Sequence, residues 1–65
     1  MEMFKIKYFE KEYLDMLYYI VHANTIEEAK KRFEEYILER FDEDKPTYQI
    51  SNMKPEIDSK YIYEI

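Results

Sequence analysis

Three groups of side chains in this 65-residue sequence could do chemistry: the single histidine His22, the carboxylate run Asp42-Glu43-Asp44, and eight tyrosines. An imidazole titrates near neutrality and serves as general base, metal ligand or pH switch. His22 has no cysteine, no second histidine and no Ser/Asp pair arranged around it in sequence, so it reads as a satisfied histidine. A calcium loop alternates its oxygen ligands and puts glycine at its sharp bend. Asp42-Glu43-Asp44 does neither and reads as a solvated connection. Two carboxylates do acid–base work when their environments differ, and no pair here is enclosed by apolar sequence. Glycine and cysteine are both absent. That excludes Gly-rich phosphate loops, dinucleotide fingerprints, thiolate metal sites and disulfides. The expectation is a protein that is not an enzyme, with no cofactor and no metal.

The tyrosines raise a different chemistry. Aromatic rings on an open sheet stack on nucleic-acid bases, and Lys5 and Lys7 stand close in sequence. The charge opposes it. The net charge is −5, with −1 in residues 1–24, −1 in 25–40 and −3 in 41–65. Phosphate binding needs a basic surplus, so nucleic acid is not the expected partner. The tyrosines read first as core.

The element that must hold everything else is the stretch Thr25 to Arg40, TIEEAKKRFEEYILER. Thr25 and Glu28 form a capping box. Glu27 and Glu28 in the first turn and Arg40 in the last suit the helix dipole. Ile26, Ala29, Phe33 and Ile37 recur at helical spacing, and Glu–Lys and Glu–Arg pairs four apart line the solvent side. Leu38 projects well away from the apolar stripe.

Four strands are expected around that helix. Phe4, Ile6 and Tyr8 alternate with Lys5 and Lys7 in the first, Met1 to Phe9. Glu10-Lys11-Glu12 follows as a charged turn without the Gly or Asn of a tight primed turn, which predicts a longer loop built on a type I turn. The second strand, Tyr13 to Ala23, is apolar on both faces. Leu17, Tyr19, Val21 and Ala23 face the helix; Met16, with Leu14, and Tyr18, Ile20 and His22 face away. Thr47 to Met53 and Lys60 to Ile65 are the third and fourth, separated by a loop over 54–59 around Pro55. The fold class is α+β: a four-stranded antiparallel sheet with one helix packed on one face, in ββαββ order, as a single domain over 1–65. A strand order of 2-1-3-4 makes every neighbouring pair antiparallel. The expected core is Phe4 or Ile6, Leu17, Tyr19, Val21, Ala23, Ile26, Ala29, Phe33, Ile37, Ile50 and Tyr63.

Tyr19 to Phe33, YIVHANTIEEAKKRF, resembles a strand-to-helix unit of very small bacterial and phage proteins: an apolar strand, a capping residue, then Glu-Glu-Ala. Gly, Ala, Arg and Pro total 6 residues, while Phe, Tyr, Met, Ile, Asn and Lys total 34. The second set has AT-rich codons, so the coding source is read as AT-rich. Size, acidity and composition are similar to small acidic phage or mobile-element proteins, some of which inhibit host proteins. The resemblance implies a small protein-binding inhibitor. The residues independently imply a partner surface at Met16, Tyr18, Ile20 and His22, with Leu38 as an outlier on the helix. The alternative is a homodimer that buries the same sheet face. No stretch approaches about 18 apolar residues and no apolar run follows a basic N-terminus. The expected location is therefore the cytoplasm, with no membrane partner.

Overall fold

A computed structural model describes residues 2–52 and 62–65. The elements run β1 (Glu2–Glu10), β2 (Asp15–Ala23), α1 (Ile26–Phe41), β3 (Thr47–Ser51) and β4 (Ile62–Glu64). The fold is α+β, one helix on a four-stranded sheet. The loop expected over 54–59, together with Met1, Met53, Lys60 and Tyr61 of the expected strands, lies outside the described residues.

α1 begins where its cap predicts. Thr25 Oγ1 accepts from the Glu28 N–H at 3.1 Å, and Glu28 Oε2 accepts from the Asn24 N–H at 3.1 Å. At the other end Asp42 turns left-handed, with φ 52°, and its N–H donates to the Leu38 carbonyl. A short polar side chain tolerates that backbone better than a bulky one. Arg32 Nη1 donates to the His22 carbonyl and ties the helix to β2.

The sheet order is β3-β1-β2-β4. β1 pairs antiparallel with β2 from Glu2↔Ala23 to Glu10↔Asp15, and antiparallel with β3 from Lys5↔Ser51 to Phe9↔Thr47. The expected sequence 2-1-3 is therefore present. β4 departs from it: it lies outside β2 and runs parallel to it, with Tyr19 opposite Tyr63. The Ile65 N–H extends this pairing by donating to the Ile20 carbonyl at 2.8 Å. The sheet is consequently mixed, mostly antiparallel.

Strand alternation puts Phe4, Ile6, Tyr8, Tyr19, Val21 and Ala23 under the helix, where they meet Ala29, Phe33 and Ile37 in one core. Phe33 is its centre. Its ring lies 4.8 Å from Tyr48, 5.4 Å from Tyr19 and 5.7 Å from Tyr8. Tyr63, expected inside, is 46% exposed. β4 is an edge strand, and the Tyr63 ring meets the Tyr19 ring at 5.4 Å.

Candidate functional site

Tyr13 and Leu14 were expected in the second strand, yet they belong to the turn. Glu10 pairs with Asp15, leaving Lys11 to Leu14 as a four-residue loop. The turn is braced from below. Glu10 is buried, and its two carboxylate oxygens accept from the Glu12 and Tyr13 N–H groups, each at 2.7 Å. Leu14 closes the loop with φ 53°. A leucine in that left-handed region costs roughly 1–2 kcal/mol that glycine or asparagine largely avoids. The chain has no glycine, but it uses asparagine elsewhere. Leu14→Asn should therefore raise stability by about 1 kcal/mol. A urea midpoint that stayed level or fell would show that the Leu14 backbone is not strained.

The strained residue gains little from burial. Leu14 is 75% exposed and Tyr13 77% exposed. The C-terminus of α1 arrives at the same end of the molecule. Phe41 lies 5.9 Å from the Tyr8 ring, the Tyr8 hydroxyl donates to Glu43 Oε2 at 2.5 Å, and Lys11 Nζ stands 3.8 Å from Glu43 Oε1. Six large hydrophobic side chains stand out as exposed among the described residues. Tyr13 and Leu14 sit in the turn, Leu38 and Phe41 on the last turn of α1, Met16 on β2 on the face away from the helix, and Tyr63 on β4. A hollow of about 160 Å³ between β1, β2 and β3, with Phe9, Met16, Thr47 and Gln49 in its wall, opens beside this end.

The expected partner surface is divided by this geometry. Leu38 lies on the last turn of α1, and Met16 lies at the turn end of β2 on the opposite side of the sheet. Tyr18, Ile20 and His22 continue along β2, on the face away from the helix. Ile20 is only 3% exposed, flanked at its own register by Lys5 and Glu64, while Tyr18 and His22 are half-buried. Tyr13 and Phe41 were missed as surface candidates, and Leu14, read with the outward set of β2, stands in the turn instead. The available clue was an apolar pair directly after a charged turn, which continuing alternation made look like the start of a strand.

Burial pushes the Tyr8 hydroxyl well above the ordinary tyrosine range, and its hydrogen bond to Glu43 and the charges of Glu43 and Glu10 add to the shift. Tyr19 and Tyr48 are pushed up to about 12. Burial is the largest cause for both, followed by Tyr36 and Tyr63 around Tyr19 and by the Glu34 carboxylate beside Tyr48. Such groups stay protonated at neutral pH, and Tyr8 uses its proton to donate to Glu43. Among the described residues no three His, Cys, Asp or Glu side chains come together as a metal site. No helix among them is long and apolar enough to cross a membrane. No protein-family model, no curated protein and no solved structure matches the chain.

Proposed function

We propose that this protein is a non-catalytic binding module that grips another protein with the end formed by the hairpin turn and the helix C-terminus. One observation carries the reading: Tyr13 and Leu14 stand exposed on a turn braced by Glu10 and closed by a strained Leu14, and the exposed Phe41 lies at the helix terminus that Tyr8 and Lys11 meet through Glu43. Apolar patches on monomers often mark contact sites. Tyrosine suits such sites because its ring buries area while its hydroxyl still finds a partner. Bracing lowers the ordering entropy that binding would otherwise cost. Glu12 and Asp15 flank the tip, so a partner with an apolar cleft and a basic rim fits best. The small acidic chain, with its composition similar to phage and mobile-element proteins, fits an inhibitor of a host protein.

The test compares wild-type bait with the Tyr13→Ser, Leu14→Ser double variant in lysate of the cell that makes the protein. The recovered partner is then purified and titrated with both. Truncating an interface anchor costs about 2 kcal/mol or more, so the variant should bind at least about thirtyfold more weakly. Equal binding, or no specific partner in repeated experiments, sinks the proposal. Sedimentation at micromolar concentration separates the homodimeric alternative. A species of 8.2 kDa is the expected result, and a dimer dissolved by the same double variant would make the partner a second copy.

A further inference from the structure

The sheet carries a second feature that the apolar end does not use. β3 is an edge strand, paired with β1 on one side and with no strand on the other among the described residues. Natural edges are guarded by brevity, proline, lysine or a bulge, because bare N–H and C=O groups invite another strand. Within Thr47–Ser51 there is no proline and no lysine, and the pairing to β1 runs through five consecutive residues without a bulge. The opposite edge is guarded better, since β4 has only three residues and one of them is Glu64.

The two sides of the β3 edge differ in chemistry. On the face away from the helix β3 presents Thr47, Gln49 and Ser51, all uncharged. Register places Lys7 beside Gln49 and Lys5 beside Ser51. These residues and Tyr18 line a hollow of about 530 Å³ that reaches the β3 backbone at Ile50. Lys5 Nζ lies 5.8 Å from the centre of the Tyr18 ring. The ion pair among the described residues is Lys11–Glu43, and neither Lys5 nor Lys7 has a carboxylate partner there. Glu64, on the far edge, is the one acidic side chain on this face among those residues. Among the described residues the hollow beside this edge is thus locally cationic, in a chain of net charge −5. On the helix side the same strand presents Tyr48 and Ile50, both half-buried and apolar.

The geometry points to β-strand addition at β3 by an extended acidic segment of another protein, with acidic and apolar side chains alternating. A strand added at the usual spacing lies about 5 Å beyond β3 and about 10 Å from β1. A lysine from β1 and a carboxylate from the new strand together span that gap above the short side chains of β3. The side-chain period of two sends every second residue to the lysines and the others toward Tyr48 and Ile50. Main-chain hydrogen bonds supply attachment and the alternating side chains supply selectivity. A nucleic acid matches the lysines but offers nothing to the peptide groups of the edge. A second copy pairing edge to edge would bring Lys5 and Lys7 toward their own equivalents.

The experiment uses the full chain labelled with ¹⁵N and a capped seven-residue peptide of alternating valine and glutamate. The controls are the valine–lysine peptide and a short oligothymidylate. The expected result is shifted, slowly exchanging amides in Thr47–Ser51 with the glutamate peptide only, weakened by salt through screening. Lys5→Gln with Lys7→Gln should lower affinity about fivefold to tenfold and leave the melting curve in place. Tyr13→Ser with Leu14→Ser should leave this binding unchanged, which separates it from the apolar end. The proposal is overturned by unmoved β3 amides at millimolar peptide, by equal binding of the lysine peptide or of the double glutamine variant, or by oligothymidylate shifting the Lys5 and Lys7 resonances while the peptide does not.

Discussion

Phe33→Ala is expected to remove about 3–5 kcal/mol of folding stability. Domains are stabilised by roughly 0.05–0.15 kcal/mol per residue, which gives about 3–10 kcal/mol for this length. The variant should therefore sit close to its unfolding midpoint in water. Three arguments converge on Phe33. Its side chain is fully buried at the centre of the core. Tyr8, Tyr19 and Tyr48, one from each of β1, β2 and β3, pack their rings around it. Edge-to-face pairs contribute about 0.5–1.5 kcal/mol each beyond their buried area. And a small domain has few other apolar contacts to draw on. Leu38→Ala, on the same helix but 46% exposed, should change stability by less than about 0.5 kcal/mol. Urea titration followed by circular dichroism compares the two. A Phe33→Ala midpoint equal to wild type would mean that the helix presents another face to the sheet.

That helix was legible because its information is local. The Thr25 cap, the Glu28 return bond and the spacing of Ala29, Phe33 and Ile37 all lie within one segment, and each is in place. The inward set of β2 was legible for a related reason: Val21 and Ala23 lead straight into the helix that covers them. Alternation reports which face a residue takes. It does not report which edge a strand joins. Residues 52–61, between the ends of β3 and β4, are enough chain to place the last strand on either edge. Antiparallel pairing was the economical guess, and β4 instead lies parallel beside β2. The same limit explains Tyr63, whose inward face was read correctly and whose edge position leaves it half wet.

The surface was harder to read than the core. Tyr13 and Leu14 extend an apolar pattern, so the period alone assigns them to β2. What moves them into the turn is the Glu10 carboxylate, which takes two backbone N–H groups and closes the ladder at Glu10↔Asp15. A buried glutamate capping a turn has no sequence signature beyond its position. Likewise Glu43, read as solvated loop, receives the Tyr8 hydroxyl from 35 positions away, a pairing that only the assembled fold makes.

Raising the pH above 10 is expected to unfold the protein over a narrow range. Tyr8, Tyr19 and Tyr48 ionise near 10 when unfolded. Folded, Tyr19 and Tyr48 hold their protons up to about 12 and Tyr8 holds its own higher still. Below pH 10 both states are protonated, and the stability these groups contribute is fully present. Above pH 10 the unfolded state binds fewer protons than the folded state, so stability falls as pH rises toward the folded values. Each tyrosine removes about 1.4 kcal/mol per pH unit in that window. Three of them remove about 4 kcal/mol by pH 11, a loss comparable with the whole stability of a small domain. Denaturant melts at pH 8, 10, 10.5, 11 and 11.5 should show this fall. Tyr48→Phe keeps the ring against Phe33 and removes one ionising hydroxyl, so the alkaline slope should drop by about a third. Stability that stayed level to pH 11.5 would show that water reaches these three hydroxyls in the folded protein.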